Sequence, residues 1–366
     1  VENQKTVLIS GASIAGLTMA YWMNHYGYRV TLVETGASPR IGGSPIDVRG
    51  GALDTARRMG ILKNIQDARL GTEGLDFVNA QNQTLSTMLV ENIGPLRPGE
   101  DIELRRDDLV NILYRQTGQA VEYLFNNRIQ NIVQHSTHVE VTYRDGIRRD
   151  FDFVIGADGL HSGVRKLVFG PEEQFKHPLD LYFAIFEVDD NIGKRNRGQM
   201  YNTPDTMATI YCYNKKADAV LVFRNAALTY DYRDPEAQKR IVRDAFAGGQ
   251  WKVPQLLEEL GRVKHFYFDQ VCQIKMPCWS RGRVALIGDA AYCPGFPTGM
   301  GSTLAMQGAG ILADALAENA DHKVAFQQYE EQFRPIVDTL QATVYEGISF
   351  LLPETQEAID RRNMGG

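Results

Sequence analysis

Hydrophobic and polar positions recur along this chain with two different periods, and the places where the period changes mark its elements. Val7-Leu8-Ile9-Ser10 is a short, largely β-branched apolar run that predicts a strand, and it leads straight into Gly11-Ala12-Ser13-Ile14-Ala15-Gly16. Residues 17–26 then carry helical spacing until Gly27 stops them, and Arg29-Val30-Thr31-Leu32-Val33 predicts a second strand ending on Glu34. The chain therefore opens as strand, tight turn, helix and strand, a βαβ unit. Further on, a helix is expected over 52–58 with its stop at Gly60, two strands around a polar turn over 73–101, and a helix over 107–116. From 121 to 154 the pattern is β-rich: Val139-Glu140-Val141-Thr142-Tyr143 alternates cleanly and Asp145-Gly146 is a hairpin turn. A second sheet is expected over 181–188, 207–213 and 219–224, then a helical block over 235–260 and helices over 302–318 and 325–346. No internal repeat or low-complexity linker divides these stretches, so two intertwined regions are expected rather than two in series.

The turn at residues 11–16 has the form of a dinucleotide-phosphate fingerprint. Such a turn aims unpaired backbone N–H groups and the positive end of a helix dipole at a pyrophosphate, and an acidic residue at the tip of the next strand suits a ribose diol. Ser13 stands at the middle glycine position, which restricts how closely the backbone approaches the phosphates. The alternative for this segment taken alone is a glycine turn of any parallel α/β sheet. Two later segments repeat the theme of an apolar strand running into Gly and Asp: Phe153-Val154-Ile155-Gly156-Ala157-Asp158-Gly159, and Val284-Ala285-Leu286-Ile287-Gly288-Asp289-Ala290-Ala291. Carboxylates at strand C-terminal ends lie where open α/β sheets bind ligands. The alternative for either one is an aspartate capping the helix that follows. Three such ends in one chain imply a single large cofactor gripped by both ends of the chain.

At 366 residues with 43% hydrophobic composition, the chain is long enough for one large or two medium domains. A net charge of -6 and isolated arginine pairs (Arg57-Arg58, Arg105-Arg106, Arg148-Arg149) argue against nucleic acid, which needs a basic face. Cys212, Cys272, Cys278 and Cys293 form no CxxC, so reduced thiols and a cytoplasmic location are expected. His135 and His138 fall in a segment read as strand, where they would point to opposite faces, and no metal site is expected. Apolar stretches are too short for a membrane span, and nothing resembles a secretion signal.

Residues 11–16 with Glu34, residues 156–159 with Arg165, and residues 288–291 with Gly299-Met300-Gly301 together resemble, across the whole chain, the single-component FAD-dependent aromatic hydroxylases, the group that includes para-hydroxybenzoate hydroxylase. The resemblance implies an α/β fold: a discontinuous Rossmann-like FAD-binding domain (1–72, 102–170 and 268–335), an interleaved β-sheet substrate domain (73–101 and 171–267), and a C-terminal bridging helix (336–366). It assigns the cofactor to Gly11, Ser13, Ile14, Ala15, Gly16, Glu34, Thr35, Arg40, Gly43, Asp47, Arg106, Asp158, Gly288, Asp289, Gly299, Met300 and Gly301. In that assignment Glu34 would hold the adenosine ribose, Arg40 and Asp47 would line the adenine-side and flavin regions, and Arg106 would contact the cofactor. Asp289 would meet the ribityl chain or pyrophosphate, and residues 299–301 would lie against the isoalloxazine. The resemblance also implies NADPH or NADH as a transient reductant, and the absence of a second convincing nucleotide fingerprint agrees with it.

A flavin C4a-hydroperoxide would carry the oxygen, so no side chain is given a catalytic role. The protein's part is to place a small aromatic substrate near the flavin, with O2, and to keep water out. Phe183, Ile185, Met207, Thr209 and Phe223 from the second sheet, Phe296 and Pro297 on the flavin side, and Phe350 at the entrance are the candidate lining, although each one taken singly reads more readily as plain core or sheet packing. A monomer or weak dimer with no membrane partner is expected. Residues 43–60, 103–113 and 287–301 are similar, more narrowly, to the tetracycline-inactivating flavin monooxygenases. Tyr292 replaces the usual histidine, Phe296 the usual proline, Thr303 the usual asparagine and Gly308 the usual aspartate. Three functions stay open: a monooxygenase acting on a multi-ring phenolic or polyketide compound, with tetracyclines foremost; an FAD oxidoreductase that inserts no oxygen; and a flavin-containing protein that sequesters its ligand.

Overall fold

Three motif-bearing strands lie side by side. In the computed structural model, which describes residues 4–39, 44–89, 101–226, 228–231, 234–263 and 266–364, Thr6–Ser10 sits between Arg29–Val33 and Phe153–Gly156, and Val284–Leu286 follows. All four run parallel, with Ser10 paired to both Val33 and Gly156, and Gly156 to Leu286. Their C-terminal ends are therefore level along one edge. Glu122–Leu124 and Ser280–Arg281 complete this six-stranded sheet. The helix Ile14–His25 is apolar nearly all round, because it is wedged against the sheet and the helices Gly301–Glu318 and Arg106–Thr117.

A small antiparallel sheet, Ile129–Gln134, Val139–Tyr143 and Arg148–Phe151, carries the expected turn at Asp145-Gly146, with Gly146 at φ 84°. His135 and His138 do not point to opposite faces. They occupy the turn joining the first two strands, where the His135 amide donates to the His138 carbonyl at 2.8 Å and the rings stack with centroids 4.5 Å apart. Strand alternation does not extend into a turn.

The second sheet has seven strands, in the order Phe266–Ile274, Lys176–Val188, Lys216–Arg224, Thr206–Tyr213, Arg197–Thr203, Gly74–Val78 and Thr84–Leu89. Arg197–Thr203 is a strand that the pattern did not predict; Gly198, Gln199 and Asn202 interrupt its alternation although the strand is buried. The expected block over 235–260 is two helices, Pro235–Ala245 and Val253–Arg262, parted around Gly248 at φ 74°. They cover the outer face of the sheet, packing with Tyr182, Leu221, Phe223 and Phe268. Phe223 is therefore corrected: it belongs to this outer layer, stacks on Tyr182 and meets Phe246 edge-on. Side chains alternate along a strand, so its neighbours Val220 and Val222 take the inner face.

The last expected helix also divides, into His322–Ala342 and Val344–Leu351, at Thr343, whose hydroxyl donates to the Leu340 carbonyl. Val344, Ile348 and Leu352 lie on the inner face of the large sheet. Gly347 is pressed against the 296–298 turn so closely that a Cβ there would sit 2.3 Å from the Pro297 carbonyl oxygen. A final helix, Gln356–Asn363, sets Arg362 over the rings of Phe77 and Phe350, at 4.4 and 5.8 Å, where it donates to the Phe350 carbonyl and to Asn202.

Candidate active site

The level strand ends create the site. Gly11, at φ 106°, is folded so tightly onto the neighbouring strand end that a Cβ would lie 2.5 Å from the Ala157 carbonyl oxygen. A Cβ at Gly16 would lie 1.9 Å from the Gly11 oxygen. Both positions therefore admit glycine alone. The helix that begins at Ile14 has no side-chain cap and no acidic residue in its first turn, which leaves its leading N–H groups without a cap from its own first residues. Ser13 turns its hydroxyl away from them and accepts a bond from Arg106 at 2.7 Å. The guanidinium is thus set at the mouth of the turn. Glu34 accepts from the amides of Ala12 and Gly36, each at 2.8 Å, and from the Thr35 hydroxyl at 3.0 Å, which fixes the tip of the second strand against the turn. Bare helix amides, an arginine beside them and a carboxylate at the next strand tip are the donor set a ribose-diphosphate requires. These residues fit FAD. Arg40 and Gly43 lie outside the described residues.

Asp158 does something else. Its carboxylate accepts from the Ser162 hydroxyl and from the Val164 amide at 3.1 Å, capping the helix Gly163–Val168. Burial raises its pKa against the bond from Ser162. The capping alternative describes this residue, and its backbone lies against Gly11, 3.0 Å from where a Cβ there would be. Arg165 on that helix is fully buried and donates to the carbonyls of Leu160 and Ala290 and to Glu172, tying the middle motif to the late one.

In the late motif Gly288 turns at φ 62° with its Cβ position 3.0 Å from Ala15, so the short helix Asp289–Tyr292 abuts the dinucleotide turn. Gly299, at φ 65°, and Met300 then lead into Gly301–Glu318. An antiparallel ribbon, Pro45–Val48 with Ile102–Arg105, closes over this end. Thr303 joins the two: its hydroxyl accepts from the Arg49 amide at 3.2 Å and donates to the Asp47 carbonyl at 3.5 Å. The ribbon places Asp47 opposite Glu103, with Arg49 bonded to Asp47 at 2.8 Å and 3.2 Å from Asp101. Burial pushes Glu103 up to about 7, with the Asp47 charge adding to it, and burial raises Asp47 as well.

The inner face of the large sheet looks onto this ribbon. Phe183 stacks on Phe296 with centroids 4.9 Å apart and Phe350 meets Phe77 edge-on at 6.0 Å; Ile185 and Met207 join the same cluster. Thr209 is fully buried between Met200 and Val220 on adjacent strands, and its hydroxyl has no partner among the described residues. Sequence reading overlooked Tyr211, Glu103 and Arg49. Alternation from Met207 and Thr209 points to Tyr211; only the pairing of distant strands reveals the other two.

Two departures from the usual motif explain each other. Tyr292 is fully buried among Trp279, Tyr329 and Phe333, and Tyr329 donates to its hydroxyl at 3.2 Å. That hydroxyl sits 2.1 Å from where a Cβ of residue 308 would be, so the larger ring at 292 requires glycine at 308.

His161 spans the two sheets, meeting Glu172 at 3.0 Å and Asp269 at 3.1 Å. The bonds to Asp269 and Glu172 push it up to about 9, and against the opposing effect of burial both carboxylates are held below their usual range. A histidine with a raised folded pKa stabilises fully below its unfolded value near 6.5 and loses that contribution as pH rises through about 9. Melting temperature is expected to fall over that interval by an amount that His161→Gln abolishes, measured by calorimetry across pH.

The chain belongs to the FAD-binding-domain family, whose model, described as FAD binding domain, matches residues 4–343. It is 43% identical over 363 residues to an uncharacterised protein of Mycobacterium tuberculosis, covering 98% of this chain and 97% of that one. It is 36% identical over 370 residues to a flavin-dependent monooxygenase of an unknown prokaryotic organism, covering 100% and 96%. Among solved structures it is similar to the tetracycline destructase Tet(55), with TM-score 0.87 and 35% identity over 98% of this chain and 94% of that one. The protein is an FAD-dependent monooxygenase on the para-hydroxybenzoate hydroxylase type of α/β fold, using NADPH or NADH and O2 on a small-molecule substrate. No helix among the described residues is long and apolar enough to cross a membrane.

Proposed function

We propose that this monooxygenase hydroxylates a multi-ring phenolic or polyketide compound and that tetracyclines are its first candidates. The observation that carries this reading is the 35% identity and near-complete overlap with Tet(55). The aromatic wall of Phe183, Phe296 and Phe350 supports a flat, extended ligand. FAD when bound supplies the redox chemistry, taking hydride from a nicotinamide and giving one atom of dioxygen to the substrate.

The chain's own residues bind and orient. Gly11, Ser13, Ile14, Ala15 and Gly16 would present amides to the pyrophosphate with Arg106 beside them, Glu34 and Thr35 would hold the ribose, Gly288 and Asp289 the ribityl region, and Asp47 with Gly299, Met300 and Gly301 the ring system. Phe183, Ile185, Met207, Thr209, Phe296, Pro297 and Phe350 would line the substrate space and exclude water, with 73–101 and 171–267 as the substrate domain between the three parts of the FAD domain and 336–366 bridging them. A cytoplasmic location accords with four cysteines that are all free thiols, and a monomer or weak dimer is proposed with it.

The test is NADPH oxidation and oxygen uptake by the FAD-loaded protein, with and without tetracycline, followed by mass analysis of the drug. Stimulation of both in equal amounts, with a mass gain of one oxygen atom, is the expected result. A drug recovered unchanged, with no stimulation, contradicts the tetracycline assignment.

A further inference from the structure

We propose that Glu103 accepts the proton of an acidic ring hydroxyl on the substrate, a phenol or an enol, with Tyr211 beside it in the same contact. This deepens the functional reading above and rests on it, since it concerns which ring compounds the site takes.

The ribbon sets up an uneven count of charges. Asp47 and Glu103 are directly opposite one another across its two strands. Like charges so placed disfavour each other's ionisation. The nearby guanidinium, Arg49, is already bonded to Asp47 at 2.8 Å and lies 3.2 Å from Asp101. The charged and titratable groups acting on Glu103 are therefore Asp47 on the opposite strand, Arg49 just beyond that strand, Arg69, whose own residue bridges to Leu104 next to Glu103, and Tyr211 from the large sheet. Thr72 supplies a hydrogen bond to Glu103. Asp47, Arg49, Asp101, Glu103 and Tyr211 are all half-buried rather than sealed. Tyr211 on the inner sheet face lies close enough to Glu103 and Asp47 on the ribbon for their charges to help raise its pKa, after burial. Two residues back along the Tyr211 strand, on the same face, the fully buried Thr209 hydroxyl has no partner among the described residues.

A carboxylate that takes up and releases its proton near neutrality is matched to general-base work at neutral pH, and burial brings Glu103 to about 7. In the step, the substrate O–H bond breaks heterolytically, the proton moves to a carboxylate oxygen of Glu103, and the electron pair stays on the substrate oxygen. No oxidant is needed. The ring becomes richer in electrons at the carbons conjugated with that oxygen, which is what an electrophilic oxygen donor requires. Glu103 returns the proton to water after the product leaves.

The test uses the FAD-loaded enzyme, wild type and Glu103→Gln, with tetracycline, a dihydroxyanthraquinone and the parent anthraquinone as probes, and reads dissociation constants by flavin fluorescence between pH 6 and pH 8. For the hydroxylated probes wild-type affinity is expected to rise by about tenfold as Glu103 ionises, because a charge-assisted hydrogen bond replaces a neutral one. The parent anthraquinone shows no such rise. Glu103→Gln is expected to retain its FAD and melting temperature, to bind with a flat pH profile, and to lose roughly 100-fold in kcat/KM with any substrate turned over. A flat profile in the wild type, or the same rise in Glu103→Gln, overturns the assignment while leaving the functional reading in place. If none of the three probes binds the wild-type protein, the functional reading falls and this assignment with it.

Discussion

Gly11→Ala is expected to purify without its yellow colour. The added methyl would lie 2.5 Å from the Ala157 oxygen, in a backbone conformation at φ 106° that a side chain rarely adopts. Strain and clash together cost roughly 2–4 kcal/mol, and relief requires the turn to lift off the 156–158 strand end. Lifting it moves the leading amides of the first helix and breaks the arrangement of Ser13 with Arg106 and Ala12 with Glu34. Flavin content per protein, read from visible absorbance, should fall at least about tenfold, and the melting temperature should drop with it. Full flavin retention in this variant would mean that the turn does not carry the cofactor.

Gly308→Asp, which restores the usual residue of the family, is expected to be among the most damaging single substitutions in this chain. Its Cβ would lie 2.1 Å from the Tyr292 hydroxyl and 2.6 Å from the Phe333 ring, and its carboxylate would be buried beside aromatic rings. Overpacking and an unpaired buried charge make a loss of about 3 kcal/mol or more reasonable. Restoring the usual histidine at 292 as well removes the hydroxyl that fills this space. The double variant should therefore recover at least about 1–2 kcal/mol relative to the sum of the single changes, measured by a denaturation cycle. Strict additivity would show that Tyr292 and Gly308 do not depend on each other.

Different parts of the molecule were visible in the sequence for different reasons. The opening βαβ unit was plain because a change of period coincides with glycines at 11, 16 and 27. The alignment of Ser10, Gly156 and Leu286 followed from three strands of one type, each ending in the same way. Alternation sets Phe223 on the other face from Val222, but that the Val222 face is the inner one follows only from its pairing with Phe183 and Met207 on separate strands. The strand Arg197–Thr203 escaped because polar residues and a glycine occupy buried positions, which only a central place in the sheet accommodates. Asp158 followed the capping alternative because a serine four residues on offers its carboxylate a local partner. The Asp47 and Glu103 pair was out of reach: no local pattern tells that two residues 56 positions apart in the chain will lie across from each other.

The most direct measurement is the origin of the oxygen atom in the product. With the FAD-loaded protein, NADPH and tetracycline, one reaction is run under isotopically heavy dioxygen in ordinary water and a second under ordinary dioxygen in heavy-oxygen water, and the product is weighed by mass spectrometry. One heavy oxygen in the first product and none in the second is the predicted result. Label drawn from water, or a product altered without gaining oxygen, would contradict a monooxygenase acting at this site.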